Sequence, residues 1–247
     1  MKSLTNNCLF LLCFILTAVL GMGCQTRQTL EPPTVDKPTA KGTTETRNVL
    51  SPVYAPLAEW LVERFDLKEK TGIGIDLGSG TGDLIVELAQ RTPGLHWINA
   101  DIDPSRFGIF YEKAKAAGVS ERVSAQWSDA GNMPYRDGYA DIVVSRGSFP
   151  FWSDLKAGLS EVNRILKPGG IAYIGRGFSE NLPVETAKAI RERQQTNNRF
   201  PRYDVDETEK ELRRIMVELE IRGYEIIRPH PPGSEGVNYG IWLEWRK

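Results

Sequence analysis

The sequence predicts an α/β fold, and three observations support this prediction. The short apolar run Ile73–Leu77 leads into a glycine-rich loop and then into a helical stretch. Further apolar strands alternate with amphipathic helices along the chain up to residue 175. The segment Val237–Trp245 then alternates in the pattern of a β-strand.

The loop Gly78–Gly82 has glycine at alternate positions, directly before the predicted helix Asp83–Arg91. Glycine lets the backbone approach a ligand closely, and the start of the helix offers unpaired N–H groups. Asp83 stands where a dinucleotide fingerprint needs a small residue, and no GKS or GKT of a P-loop is present. On the loop alone, a nucleotide-type ligand and a purely structural glycine turn both remain open.

The second predicted strand, His96–Asp101, ends in a carboxylate. A carboxylate at the carboxyl end of a strand can accept hydrogen bonds from both hydroxyls of a ribose. Asp103 and Pro104 then predict a helix start, with aspartate as the N-cap and proline at the first helical position. The alternative role for Asp101 is that of an exposed acid leading this helix.

Three more strands complete the central pattern. They are predicted at Val123–Trp127, Ala140–Ser145 and Ile171–Gly175. A helix is predicted over Asp154–Leu166, and Lys167–Gly170 is expected to end it because proline and glycine do not continue a helix.

Four motifs in this order resemble the class I S-adenosylmethionine (SAM)-dependent methyltransferases, with a domain of the type 11 kind over about residues 50–180. They are D-LGSGTG, ADIDP, SDAGNMPYRDGYADIVVS and RILKPGG. The resemblance implies a Rossmann-like, seven-stranded, mostly parallel sheet with helices on both faces, and SAM as the cofactor. The chain itself adds a C-terminal antiparallel hairpin. The residues expected to bind SAM are Tyr54, Asp76, Gly78, Ser79, Gly80, Gly82, Asp101, Ile102, Asp129, Ala130, Ser145 and Arg146.

Within this set, the resemblance assigns Asp101 to the ribose and Asp129 with Ala130 to the adenine. The Asp129 carboxylate can accept from the adenine amino group while a neighbouring backbone N–H donates to the ring. A turn-forming acid before Gly131 is the alternative for Asp129. Tyr54 is expected to close over the cofactor, with simple packing of its helix as the alternative.

A narrower resemblance begins at Ser145–Trp152, which is similar to methyltransferases with an SRGS…FW segment after the fourth strand and a YIGGGFG segment after the fifth. In this chain Arg176 and Ser179 replace two glycines of the second segment. Arg176 therefore puts a long cation beside the expected site, where it can change the acceptor or the catalytic competence. Arg146 is the candidate catalytic residue, and an arginine that pairs with a surface acid is the alternative.

The implied reaction is methyl transfer, an in-line displacement that depends mainly on positioning and on exclusion of water. A general base is optional for thiol or amine acceptors, and neither His96 nor His230 stands in a convincing place for one. The absence of NPPY or DPPY argues against methylation of exocyclic amines in nucleic acid bases. No cysteine follows Cys24, so we expect no cysteine nucleophile and no metal site.

The C-terminal part adds a helix and two strands. The helix is predicted over Asp206–Arg222, with a capping box that starts at Thr208. The strands are predicted over Tyr224–Arg228 and Val237–Trp245 and form a hairpin. Residues 179–205 are expected to be an insert with a short, solvated helix of mixed charge, and a lid over the acceptor site is the alternative.

The N-terminal residues predict export and lipid attachment. Residues 1–23 contain the apolar run Cys8–Leu20, which is too short to span a bilayer but typical of a signal peptide. Gly21–Gly23 followed by Cys24 resembles a bacterial lipobox, although glycine stands where leucine is usual. Cleavage would make Cys24 the lipid-bearing first residue. An uncleaved anchor or a misassigned start codon is the alternative.

The rest of the chain is expected to form a tether and one domain. Residues 24–47 are rich in Thr, Pro and Gln and predict a disordered polar tether, and residues 48–247 form the methyltransferase domain. The predicted location is the bacterial cell envelope, as a membrane-anchored lipoprotein. The cytoplasm is the alternative, because SAM is made and kept there.

Charge and composition limit the partners. Lys2 is the only charged residue up to residue 23, so the remaining chain has 30 basic and 32 acidic side chains and a net charge of −2. A near-neutral surface predicts no nucleic-acid partner and favours a small-molecule or protein acceptor.

The sequence thus predicts a SAM-dependent methyltransferase. The alternative is a catalytically silent, lipid-anchored binding module that retains the fold, and aminopropyl transfer lacks sequence support.

Overall fold

The computed structural model describes residues 44–195 and 204–247. The predicted signal peptide, the lipobox with Cys24, most of the tether and the part of the insert between residues 196 and 203 lie outside these ranges. No helix within the described ranges is both long enough and apolar enough to cross a bilayer.

Seven strands form one sheet in the order β3-β2-β1-β4-β5-β7-β6. The strands are β1 Gly72–Leu77, β2 Leu95–Asp101, β3 Val123–Trp127, β4 Ala140–Arg146, β5 Leu166–Gly177, β6 Glu225–Ile227 and β7 Gly240–Arg246. The first five pair in parallel, whereas β7 runs antiparallel to both β5 and β6. The predicted fold class, a mostly parallel sheet with a C-terminal antiparallel hairpin, is confirmed.

Helices cover both faces of this sheet. They are α1 Thr44–Phe65, α2 Asp83–Arg91, α3 Phe107–Ala116, α4 Leu155–Ile165, α5 Val184–Gln195 and α6 Val205–Glu218. The first three share one hydrophobic core with the sheet, and α4 and α6 share the other. Strand β4 shows why two cores form, since Val143 faces the α4–α6 side while Ile142 and Val144 face the α1–α3 side.

An aromatic cluster fixes α1 to the sheet. The ring of Tyr173 on β5 stacks on Trp242 of β7 at a centroid distance of 4.6 Å, and Trp60 of α1 lies 5.0 Å from Tyr173. Aromatic contacts of this kind are worth about 0.5–1.5 kcal/mol beyond the burial of their area. They hold α1 in place, and Tyr54 lies on this helix. The helix begins at Thr44, four residues before the predicted start of the domain.

Two local predictions are wrong. Helix α4 ends at Ile165, directly before the predicted stop, but the predicted start of β5 at Ile171 is wrong: the strand begins at Leu166, and Gly169 N–H and Gly170 C=O pair with the backbone of Lys247. The N-cap of α6 is Asp204, whose Oδ1 accepts from the backbone N–H groups of Asp206 and Glu207 at 2.8 and 3.2 Å. The predicted capping box at Thr208 is therefore not formed.

The parallel strands place four loops at one edge of the sheet. These are the loops that follow β1, β2, β3 and β4, and each contains residues that the sequence singled out. Ligands of open α/β sheets bind at this carboxyl edge, where the strand order reverses. Here the reversal falls between β1 and β4.

Candidate functional site

The glycine loop between β1 and α2 has a left-handed backbone at three positions. Gly78, Gly80 and Gly82 have φ angles of 73°, 60° and 73°. A Cβ on Gly78 would lie 2.2 Å from the Cβ of Ser148, and one on Gly82 would lie 2.1 Å from the ring of Phe110. Glycine is required at both ends of the loop because the conformation and the space exclude a side chain.

The start of α2 is open toward this loop. Gly82 occupies the N-cap position and supplies no side-chain hydrogen bond, so the first N–H groups of the helix have no intrahelical partner. The side chain of Asp83 is held by Lys113 Nζ at 2.5 Å and by the Thr81 hydroxyl at 2.7 Å. Lys113 was not identified from the sequence, and it links α3 to the end of the loop.

Asp101 lies at the tip of β2, as predicted, and is buried. Its Oδ2 accepts from the backbone N–H of Gly80 at 2.6 Å, and its Oδ1 accepts from that of Asp103 at 2.9 Å. The glycine loop therefore orients this carboxylate directly. Each carboxylate oxygen can accept more than one hydrogen bond, which leaves capacity for the hydroxyls of a ribose.

The residues expected beside an adenine follow β2 and β3. Ser128 N–H donates to Asp101 C=O at 3.0 Å and so joins the two strand tips. Ile102 is 61% exposed beside Asp101. The half-buried Asp129 accepts from Gly131 N–H at 3.0 Å, which is the turn anticipated as its alternative, while Ala130 is buried in the α4–α6 core. A turn of this kind uses Oδ1 and leaves Oδ2 for a ligand, so adenine contact by Asp129 stays a prediction.

Asp76 is the most deeply buried acid of the site, with 3% exposure in β1. Burial raises the pKa of Asp76 to about 7, while the Ser79 hydroxyl and, to a smaller extent, the cation of Arg146 act in the opposite direction. A carboxyl group in this state gains or loses its charge near neutral pH. It therefore responds to a charged ligand more strongly than a solvated acid does.

Arg146 ends β4 and contacts two other elements. Its Nε donates to Gly177 C=O at the end of β5 at 3.3 Å, and its guanidinium lies 5.3 Å from the ring centroid of Tyr54. Burial raises the pKa of the Tyr54 hydroxyl, and the charge of Arg146 acts in the opposite direction. The structure brings these two predicted residues together with Asp76.

Ser148 is a site residue that was not predicted. Its hydroxyl donates to Leu77 C=O at 2.9 Å and accepts from Trp152 Nε1 at 3.0 Å, and the buried Ser145 hydroxyl lies 2.5 Å away. The Ser148 hydroxyl donates its only proton to Leu77 C=O. In the contact between the two serines, the Ser145 hydroxyl is therefore the donor and Ser148 Oγ the acceptor. This network fixes the tip of β4 beside the glycine loop. The available signal was the SRGS…FW segment, which contains all three polar side chains.

The aromatic residues after β4 have different environments. Phe149 is buried, Trp152 is half-buried, and Phe151 is 71% exposed at the edge that carries the site. The two histidines have structural contacts: His96 pairs with the Ser124 hydroxyl at 2.9 Å, and His230 pairs with Ser234 at 3.2 Å.

The residues of the glycine loop fit a polar ligand such as SAM. The buried Ser79 hydroxyl lies close to the Asp76 carboxyl without a well-aligned hydrogen bond, and the buried Oδ1 of Asn99 on β2 has no partner among the described residues. Buried polar atoms without partners are costly. Together with Asp101 and the open start of α2, they form a donor and acceptor set suited to a nucleoside with an amino-acid end.

Comparison with known proteins agrees with this geometry. Residues 75–170 match a family model described as a methyltransferase domain. Demethylmenaquinone methyltransferase of Thermus thermophilus is 38% identical over 96 residues, which are 39% of this chain and 43% of that protein. The chloroplastic 2-methyl-6-phytyl-1,4-hydroquinone methyltransferase of Spinacia oleracea is 28% identical over 51% of this chain and 36% of its own length. The matches span less than half of these curated relatives.

Solved structures extend the similarity over most of the chain. A candidate SAM-dependent methyltransferase of Methanococcus maripaludis aligns over 82% of this chain and 88% of its own, with a TM-score of 0.69 and 29% identity. Geranyl diphosphate C-methyltransferase of Streptomyces coelicolor, solved with S-adenosylhomocysteine, shares the fold at 16% identity over 77% of this chain and 74% of its own, with a TM-score of 0.53. Residues 75–170 are thus similar to a methyltransferase domain, and the chain shares its fold with solved SAM-dependent methyltransferases.

Proposed function

We propose that this chain is an active methyltransferase that transfers the methyl group of SAM to a small-molecule acceptor. The observation that carries the proposal is the contact between Asp101 and Gly80. It joins the carboxylate expected at the ribose to the backbone expected at the methionine end. A binding module without catalysis, the alternative from the sequence, gains no support from the named relatives.

The chemistry needs little from protein side chains. SAM supplies a methyl group on a positively charged sulfur, and this group needs a correctly placed nucleophile and a dry site. In the proposed mechanism, Asp101 and the glycine loop orient the cofactor, while the Ser145–Ser148–Trp152 network holds the loop after β4 against it. No general base is assigned, because both histidines have structural contacts.

The acceptor is proposed to have an apolar body. Phe151 is 71% exposed at the carboxyl edge, so its ring is available to contact an apolar acceptor beside the loop after β4. The two curated relatives are named for methyl transfer to a demethylmenaquinone and to a phytyl hydroquinone. Isoprenoid quinols are therefore the first acceptors to test.

Methyl transfer from radiolabelled SAM to extracted isoprenoid quinols, with the full-length protein, tests the proposal. We expect labelled product from the wild type and at least a tenfold loss with Asp101→Ala, because a charge-assisted contact is worth about 1.5–3 kcal/mol. Phe151→Ser should raise the KM for the quinol, whereas Val217→Ser, at a residue that is 70% exposed on α6, should not. SAM binding without transfer to any acceptor would support the silent module instead.

The location remains a separate proposal, supported only by the leader sequence. We propose attachment to the bacterial envelope through a lipid on Cys24. Cells that express the full-length protein should incorporate labelled palmitate, and Cys24→Ser should abolish the incorporation. A cytoplasmic protein without label would contradict this proposal.

A further inference from the structure

Exposed large apolar side chains of the described residues are concentrated at the carboxyl edge of the sheet. Trp127 is the last residue of β3 and is 49% exposed, Phe151 follows β4, and Ile109 lies in the first turn of α3. We call these three residues the apolar rim. Ile102 is also exposed here, but it is expected to contact SAM and is not part of the rim. Val217, in the last turn of α6, is an exposed apolar residue near the amino edge.

The rim is long compared with a small ligand. In the sheet, β2 and β1 lie between β3 and β4. Neighbouring strands are about 4.8 Å apart, so the strand tips that lead to Trp127 and Phe151 are roughly 14 Å apart. Apolar side chains spread over this length fit a broad, flat partner better than a single small molecule.

The charged side chains beside the rim neutralise one another. Arg106, which precedes α3, pairs with Asp103 at 3.0 Å, and Lys113 of α3 pairs with Asp83 at 2.5 Å. These two ion pairs contribute no net charge to the surface around the rim. Contact of the rim with a partner is therefore expected to be apolar and, unlike attraction between opposite charges, independent of salt.

The polypeptide chain enters the domain at the same edge. In the first half of α1, Val53 packs against Phe178, which follows β5, and Tyr54 lies over Arg146 at the tip of β4. The helix then runs toward the amino edge, where β1 starts. The 43 residues that precede α1 include Cys24, the proposed site of lipid attachment. An anchor there would draw the carboxyl edge, rather than the amino edge, toward a bilayer.

We propose that the apolar rim inserts into the surface of a phospholipid bilayer, so that the carboxyl edge of the sheet faces the membrane. Tryptophan is favoured at the boundary between headgroups and hydrocarbon, and Phe151 and Ile109 add apolar area to the inserted surface. The inference rests on the proposed function for its purpose. An acceptor with an isoprenoid body stays in the bilayer, and its quinol head would reach the loops at this edge without crossing water.

Quenching of tryptophan fluorescence by brominated lipid tests this orientation. Trp127 is the most exposed of the six tryptophans of the chain. The full-length protein is mixed with phosphatidylcholine vesicles with or without bromine on the acyl chains. We expect the brominated vesicles to remove roughly a sixth of the wild-type emission, and Trp127→Phe, which keeps an apolar ring, to lose this effect. Whatever holds the chain to the vesicle, the quenching reports which side chain lies in the bilayer.

Variants at the two edges of the sheet provide matched controls. The double variant Trp127→Phe/Val217→Trp places a tryptophan near the amino edge, and it should not regain the quenching. Phe151→Ser should reduce the quenching of Trp127 because the rim loses apolar area, whereas Val217→Ser should leave it unchanged. Salt raised from about 0.05 to 0.5 M should not reduce the quenching, since apolar contacts are not screened.

The outcomes separate the inference from the proposed function. No quenching in the wild type, or full recovery of quenching in Trp127→Phe/Val217→Trp, would overturn the inference. Methyl transfer, measured separately with detergent-dispersed quinol, would then still support the proposed function. Quenching that disappears at high salt would also overturn the inference, because it would indicate electrostatic attraction. Quenching of Trp127 without transfer to any acceptor would support the membrane-facing edge and contradict the proposed function.

Discussion

Two carboxylates at neighbouring strand tips show how much the local environment decides at the scale of a residue. Asp101 accepts two hydrogen bonds from backbone N–H groups, at 2.6 and 2.9 Å. Asp76, one strand away, is surrounded by the protein interior, and burial raises its pKa to about 7. The sequence identified both acids as site residues but could not distinguish these environments, because both follow apolar strand residues.

The raised pKa of Asp76 predicts a pH-dependent stability of the ligand-free protein. In the unfolded chain this acid ionises near pH 4, so between pH 4 and 7 the folded state binds the extra proton. Stability therefore falls as pH rises through this window and is constant above it, with a total loss of roughly 4 kcal/mol at most. Asp76→Asn should remove this slope and be the more stable protein at pH 8. Urea unfolding at pH 5, 6, 7 and 8 measures the free energy of unfolding of both proteins. The same dependence of this free energy on pH in the wild type and in Asp76→Asn would contradict the raised pKa.

Gly82 combines a left-handed backbone with a close contact, so its substitution should be costly. Alanine in this conformation costs about 1–2 kcal/mol, and the displacement of Phe110 should add roughly 1–3 kcal/mol. Gly118 offers a matched control, since its φ is 70° but no atom lies within 4 Å of an added Cβ. Denaturant unfolding of Gly82→Ala and Gly118→Ala measures the loss in free energy of unfolding for each variant. The difference between the two losses is the cost of the contact between the added Cβ and Phe110. Equal losses in the two variants would show that Phe110 moves away at no cost.

At the scale of an element, patterns local to one segment were predictable and partners distant in sequence were not. The bounds of α2 and β3 are those that the apolar periodicity predicted. The extension of β5 through Lys167–Gly170 could not be predicted from periodicity, because it depends on pairing with Lys247, about 80 residues away. The start of α6 was misplaced for a different reason: Asp204 and Thr208 are both good capping residues, and the pattern cannot rank two caps one turn apart.

The observed cap predicts which residue stabilises α6. Asp204→Ala removes the acceptor for two N–H groups and should lower the free energy of unfolding by about 1 kcal/mol. Thr208→Ala should cost less, because its hydroxyl donates to Asp204 C=O within the helix. Chemical denaturation of the two variants decides between the predicted capping box and the observed cap. A larger loss in Thr208→Ala would favour the box.

At the scale of the whole molecule, the order of the strands was available only through the resemblance to methyltransferases. Periodicity gives the strands one by one, whereas the position of β7 between β5 and β6 requires knowledge of a related fold. The sequence could place most candidate residues together because they lie at or directly after strand ends, and parallel strands end at one edge; Tyr54, on α1, is the exception. Ser148 and Lys113 were not predicted because their contacts join elements that are distant in sequence. Ser148 links the loop after β4 to Leu77 of β1, and Lys113 links α3 to Asp83 of α2.

Because the loops that follow four strands lie at one edge of the sheet, we expect a ligand that binds there to stabilise the domain as a unit. S-adenosylhomocysteine at a hundred times its Kd should add about 2.7 kcal/mol by linkage. For a domain of about 200 residues this corresponds to an increase in Tm of roughly 5–10 °C. Asp101→Ala should abolish the increase. Asp103→Ala removes a neighbouring acid but keeps the backbone N–H that donates to Asp101, so it should retain the increase. Differential scanning calorimetry of the three proteins measures it, and an equal increase in the Asp101 variant would remove that carboxylate from the cofactor site.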